Sequence, residues 1–124
     1  MARILLFDED QDLSMYYSEA LTMLGHCVYA TSDSDEILDK ISQINPQLII
    51  LDVKVPDDSR MQLLEVVRNQ FPDISVIIHT VDPSIKNHSK VVNEWCLLKS
   101  FDIRPLQHAI TGSLCHDLIS SFRY

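Results

Sequence analysis

Four short apolar runs each end on a residue capable of chemistry, and this pattern constrains the chain more than any other. Ile4-Leu5-Leu6-Phe7 runs into Asp8-Glu9-Asp10, and Leu48-Ile49-Ile50-Leu51 into Asp52. Val76-Ile77-Ile78-His79 runs into Thr80, and Leu97-Leu98 into Lys99. Continuous runs of this length read as strands covered on both faces, because a strand with one wet face alternates apolar with polar. In an open parallel sheet, ligands bind in the crevice outside the carboxyl ends of the strands. The four run ends therefore predict one site.

Helical spacing fills the gaps between the runs. Leu13, Tyr17, Ala20, Leu21 and Leu24 form one apolar face, with Asp12 as the expected N-cap and Gly25 as the expected stop. A short strand is expected from Cys27 to Ala30. Ile37, Leu38, Ile41 and Ile44 give a second helix, capped by Ser34 or Asp35 and ended at Asn45-Pro46. Leu63, Leu64, Val67 and Phe71 give a third. Between Val81 and Glu94 only a weak helix is expected, since Pro83 and Lys86-Asn87-His88-Ser89 interrupt it. A last strand near Trp95 to Leu98 leads to a helix with Pro105 at its first position and Leu106, Ile110, Leu114, Leu118 and Phe122 inward. Alternating strands and helices predict an α/β domain with a parallel sheet and helices on both faces. Residues 1–124 are expected to form that one domain.

The formal net charge of -8 argues against nucleic acid as a direct partner, because phosphate backbones demand Lys and Arg patches. It suits cation binding where the acids cluster. No apolar run is long enough to span a bilayer, and the N-terminus carries no signal-peptide pattern. A cytoplasmic location is expected. Cys27, Cys96 and Cys115 have no metal-ligand spacing and read as free thiols.

Asp8, Glu9 and Asp52 should meet at the strand ends. Like charges about 4 Å apart repel by ~4 kcal/mol at an effective dielectric of 20, so three carboxylates stay ionised together only beside a cation. All-oxygen ligation is what Mg²⁺ prefers. It would neutralise the cluster and orient an incoming phosphoryl group. Asp52 could then attack phosphorus and form an acyl phosphate. Lys99 would supply a second cation and the Thr80 hydroxyl a hydrogen bond.

At this point the chain resembles the receiver domains of two-component response regulators, nearly end to end. The matching segments are Ile4 to Asp10, Leu48 to Pro56, Val76 to Thr80 and Leu98-Lys99-Ser100-Phe101. The resemblance implies a flavodoxin-like, doubly wound sheet of five parallel strands in the order 2-1-3-4-5. It implies Asp52 as phosphoacceptor, Glu9 and Asp52 as direct Mg²⁺ ligands, Asp8 as a ligand through water and the Lys54 backbone carbonyl as a further ligand. Thr80 and Lys99 look like the phosphoryl-sensing pair. The implied donor is a phosphohistidine on a sensor histidine kinase or phosphotransfer protein. The implied output is contact with a downstream protein the sequence does not name, and the last helix could pair two copies as a homodimer. The implied role is signalling rather than turnover of a substrate.

Several residues depart from the family pattern. Glu9 stands where a second Asp is commoner. Arg60 falls near the place of a turn glycine after Pro56. Val81 replaces a small residue and is expected to crowd the phosphoryl site. Ser100 replaces the proline after the lysine. The aromatic switch position falls on Cys96, beside Trp95, and the stretch from Thr80 to Lys99 is short. Lys54 and Asp82 read as exposed, unpaired charges, or alternatively as a pair that could shield the Asp52 phosphate from water. His79 reads as a strand residue packed under helices. These departures keep a second reading open, a phosphorylation-independent interaction module of the same fold. A remoter one is a haloacid-dehalogenase-type phosphatase with Asp8 as nucleophile and Asp10 as acid, but Gln11-Asp12 replaces the Gly-Thr pair usual there.

Overall fold

The computed structural model describes residues 1–54, 58–87, 91 and 95–121, without the side chains of 58 and 115–121. The apolar runs form the parallel strands β1 (Arg3–Phe7), β3 (Leu48–Asp52), β4 (Ser75–Thr80) and β5 (Trp95–Leu98), and Cys27–Thr31 forms β2. The sheet order is β2-β1-β3-β4-β5. Register sets Leu51 opposite Phe7, Asp52 opposite His79 and Thr80 opposite Leu98. The strand ends line up along one edge, which brings the run-ending residues together.

Strand parity divides the core into two layers, because successive side chains point to opposite faces. Ile4, Leu6, Leu48, Ile50 and Ile77 pack with Tyr17, Leu21, Leu106 and Ile110. Those partners come from α1 (Gln11–Met23) and α4 (Arg104–Ser121). Leu5, Phe7, Ile49, Leu51 and Ile78 pack on the other face with Ile37, Ile41, Leu64 and Val67. Those come from α2 (Ile37–Ile44) and α3 (Asp58–Gln70). Truncating a central strand residue such as Ile50, fully buried, would cost about 2–5 kcal/mol.

Helix ends correct three expectations. Asp10, not Asp12, caps α1, accepting from the backbone N–H groups of Asp12 and Leu13. The competition was local: Asp10 is the last extended residue, which is where an N-cap belongs. Asp33 caps a 3₁₀ turn over Ser34–Glu36, and α2 follows from that turn without a side-chain cap. Leu24 was expected inward but stays half exposed at the α1 C-cap. Gly25 stops α1 as expected, at φ +95°, and Asn45 ends α2 in the left-handed region at φ 52°.

Between β4 and β5 the expected weak helix gives way to a 3₁₀ turn over Pro83–Asn87. Asp82 tightens that turn, its Oδ1 accepting from both the backbone N–H and the hydroxyl of Ser84. Pro83 suits the start of such a turn, and Ile85 anchors it in the core. Among the described residues there are thus four α-helices around the five strands. Pro105 is the second residue of α4 rather than the first. His88 and Phe122, the segment around Pro56, and the side chains of Cys115, His116 and Leu118 lie outside the described residues.

Trp95 settles on the α4 side of β5. A Cβ at Gly112 in α4 would lie 3.0 Å from its Cη2 and 3.1 Å from its Cζ2, so glycine lets the indole cross the helix closely. Cys96 points to the opposite layer and is half-buried there.

Candidate functional site at the strand ends

Asp8, Asp52, Thr80 and Lys99 meet at the carboxyl edge of the sheet, as the sequence predicts. The Lys99 backbone N–H donates to the Thr80 carbonyl at 2.7 Å, so strand pairing fixes where the lysine starts. Its ammonium then lies 2.8 Å from Asp8 Oδ2 and 3.0 Å from Asp52 Oδ1. All three side chains are almost fully buried. Burial alone would pull the Lys99 ammonium down. Its hydrogen bonds and charge pairing with Asp8 and Asp52 outweigh burial and hold it above the ordinary lysine range. Asp8 Oδ1 accepts from the Asp10 backbone N–H, which locks the start of the loop.

Thr80 is buried and its Oγ1 accepts from the Asp82 backbone N–H at 3.0 Å. Accepting there leaves the hydroxyl proton to donate elsewhere. His79 lies on the Tyr17 side of the sheet, ring centroids 4.8 Å apart and edge-on. Burial, aided by the neighbouring Lys99 charge and opposed by Asp52, lowers its pKa to about 4. It is a neutral packing residue, as expected. Tyr17 donates its hydroxyl to the Ser100 carbonyl at 3.1 Å, and Tyr16 donates to the Phe101 carbonyl. The ring of Tyr16 also meets Phe101 edge-on, centroids 5.4 Å apart. Sequence reasoning missed these two tyrosines. They hold the chain that follows Lys99, where the family pattern has proline.

Glu9 departs from the expected cluster. Its carboxylate is half exposed and forms ion pairs with Arg60 and, at 3.5 Å, with Lys54. Arg60 is buried, with its guanidinium carbon 4.4 Å from the centroid of the Phe7 ring. The alternative of a Lys54–Asp82 pair is not met: Lys54 faces Glu9, while the Asp82 carboxylate is held by Ser84. Those Ser84 hydrogen bonds also keep the Asp82 carboxyl below its ordinary pKa. Val81, expected to crowd the site, is largely solvent-exposed. Asp10 is committed to the α1 cap, so it does not stand as an acid beside Asp8.

Among the described residues, Lys99 therefore pairs with Asp8 and Asp52, and Arg60 and Lys54 pair with Glu9. Arg60 was the unread member of that set. Its signal was its place in the first turn of α3, where a cation opposes the helix dipole unless an anion faces it.

The donor set suits a hard divalent ion in type, with the carboxylates of Asp8, Glu9 and Asp52 and the backbone carbonyl of Lys54 all supplying oxygen. Asp8 Oδ2 and Asp52 Oδ1 are buried, and among the described residues Lys99 is their one partner. Their remaining lone pairs can accept a ligand. Even so, no three His, Cys, Asp or Glu side chains among the described residues converge into a ready metal site, because Glu9 is turned to Arg60 and Lys54.

Comparison with known proteins agrees with this fold. The response regulator receiver domain family matches residues 4–111. The DNA-binding transcriptional regulator NtrC of Azospirillum brasilense is 27% identical over 117 residues, covering 91% of this chain and 24% of the relative. The chain thus spans about a quarter of the length of the first such relatives. The CheY-like receiver domain of Methanospirillum hungatei superposes with a TM-score of 0.85 at 25% identity, over 97% of this chain and 98% of that one. TrrA of Thermotoga maritima, solved in complex with Mg²⁺-BeF, shares the fold with a TM-score of 0.82 at 23% identity, over 90% and 98% of the two chains. The same regulator has been solved with the histidine kinase ThkA, again with a TM-score of 0.82 at 23% identity, over 92% and 99%. No helix among the described residues is long and apolar enough to cross a membrane.

Proposed function

The chain belongs to the response regulator receiver family, and on that premise we propose that Asp52 is its phosphoacceptor. The observation that carries this is the Lys99 ammonium held between the buried carboxylates of Asp8 and Asp52. An Asp52 oxygen attacks phosphorus of a phosphohistidine on a sensor histidine kinase or phosphotransfer protein. The P–N bond breaks, the imidazole leaves and an acyl phosphate forms on Asp52. Lys99 then pairs with a phosphoryl oxygen, and the Thr80 hydroxyl donates to another. Asp8, Glu9, Asp52 and the Lys54 carbonyl are the residues that would hold Mg²⁺, which when bound supplies charge neutralisation for the phosphoryl group. The kinase complex of TrrA and the Mg²⁺-BeF complex of the same protein support the donor and the ion. The phosphoryl group would shift a two-state equilibrium read by a downstream protein in the cytoplasm.

Intact-mass spectrometry after incubation with acetyl phosphate, Mg²⁺ and a phosphorylated histidine kinase domain tests this. An added phosphoryl mass in the original protein and its absence in Asp52→Asn supports Asp52. An adduct that survives Asp52→Asn overturns the assignment. One observation favours a second reading, an interaction module that works unphosphorylated: Asp8, Glu9 and Asp52 are each already paired with a cation of the chain. Absence of any adduct from every donor would favour it.

A further inference from the structure

We propose that Arg60 is a tethered counter-cation that competes with a divalent metal for Glu9, so that metal enters the pocket by displacing it. The inference rests on the reading of the pocket as a receiver's acidic site. Three observations carry it. Arg60 is buried, yet it sits in the first turn of α3, where the helix dipole disfavours a positive charge. Its guanidinium carbon lies 4.4 Å from the Phe7 ring centroid and the group pairs with the Glu9 carboxylate. Glu9, the one acid of the three that is half exposed, is the one a solvent ion would meet first, and it is already engaged.

The consequence is that Glu9 has two alternative partners. In one state, Arg60 and Lys54 hold Glu9 while Lys99 joins Asp8 and Asp52. In the other, a divalent ion takes Glu9 and the Arg60 guanidinium leaves it. Lys99 does not take part in the exchange, because it is bonded to the two buried acids. Lys54 is exposed and more distant, so its charge is screened and it competes weakly. Arg60 is the residue that sets how tightly metal binds.

Isothermal titration calorimetry with Mg²⁺, and electron paramagnetic resonance with Mn²⁺, would measure binding to the original protein, Arg60→Met and Lys54→Met. Methionine keeps apolar bulk against Phe7 and removes the charge. Arg60→Met is expected to bind metal about tenfold tighter, and Lys54→Met less than about threefold tighter. In the unmodified protein, the NMR signal of the Arg60 Nε–H should shift along the Mg²⁺ saturation curve. This second measurement stands if Arg60→Met does not fold. Unchanged metal affinity in a folded Arg60→Met, an Arg60 signal that ignores Mg²⁺, or no metal binding by either protein would each overturn the proposal. Tighter metal binding in Arg60→Met without any phosphoryl adduct would instead uphold the competition and count against phosphoacceptance.

Discussion

The two halves of the acidic pocket obey different physics. On one side Lys99, Asp8 and Asp52 are shut away from water and fixed by strand pairing. On the other, Glu9 is half in solvent and leans on two cations from a loop and a helix turn. The buried half couples strongly because little solvent screens it. In the other half, Glu9 and Lys54 are exposed enough to exchange partners at small cost, whereas Arg60 is the buried member. The two behaviours are divided between elements: Asp52 ends β3 and Asp8 follows β1, while Glu9, the next residue after Asp8, turns outward.

The sharpest way to break the contrast is to remove the cation of the buried half. Lys99→Met leaves Asp8 and Asp52 facing each other without compensation and is expected to cost about 3 kcal/mol in urea unfolding. Adding Asp52→Asn to that variant should recover part of the loss, and a simple sum of the two single effects would show that the lysine does not couple them. Next in size is an effect of pH beneath the same lysine. His79 stays neutral when folded down to about 4 but takes a proton near 6.5 when unfolded. Its contribution is therefore intact above pH 6.5 and is lost as pH falls towards 4. Between pH 7.5 and 5 the original protein should lose about 2 kcal/mol more than His79→Leu does. Equal losses in denaturation curves at the two pH values would refute the burial argument.

Smaller effects should follow at the edges. Tyr17→Phe removes the hydroxyl that holds the Ser100 carbonyl and is expected to cost about 1 kcal/mol in thermal unfolding. The exposed half should barely register: Lys54→Met is expected to change stability by less than about 0.5 kcal/mol, and less still in high salt. A Lys54→Met loss as large as that of Lys99→Met would erase the distinction between the halves.

The buried half was legible in the sequence, and the reason is geometric. Asp8, Asp52 and Lys99 are each the first polar residue after an apolar strand run, and Thr80 ends β4 one residue after His79, so the backbone alone delivers the four to one edge. Sheet order followed from the resemblance, while helix faces such as Ile37 and Ile41 followed from their spacing. The exposed half was not legible because long side chains choose among partners. Arg60 was noticed as a departure from a glycine pattern, but its reach back to Glu9 depends on how the α3 turn sits over Phe7. By position, Lys54 and Asp82 read as unpaired charges or as a pair. The folded chain gave each a nearer partner, Glu9 for one and Ser84 for the other. The caps failed for the same local reason: Asp10 and Asp12 are equally good by type, and only the point where the strand ends decides between them.

Gly112 beneath Trp95 gives the molecule an optical handle. The chain has one tryptophan, and its ring lies close against the bare backbone of α4, where an added methyl group would press within about 3 Å of it. Indole emission therefore comes from one seam, between the last strand and the last helix, without contribution from a second tryptophan. Any event at the strand ends that reaches this seam will be read as a change in its wavelength or in its quenching by iodide. No label is needed to watch the far side of the sheet respond.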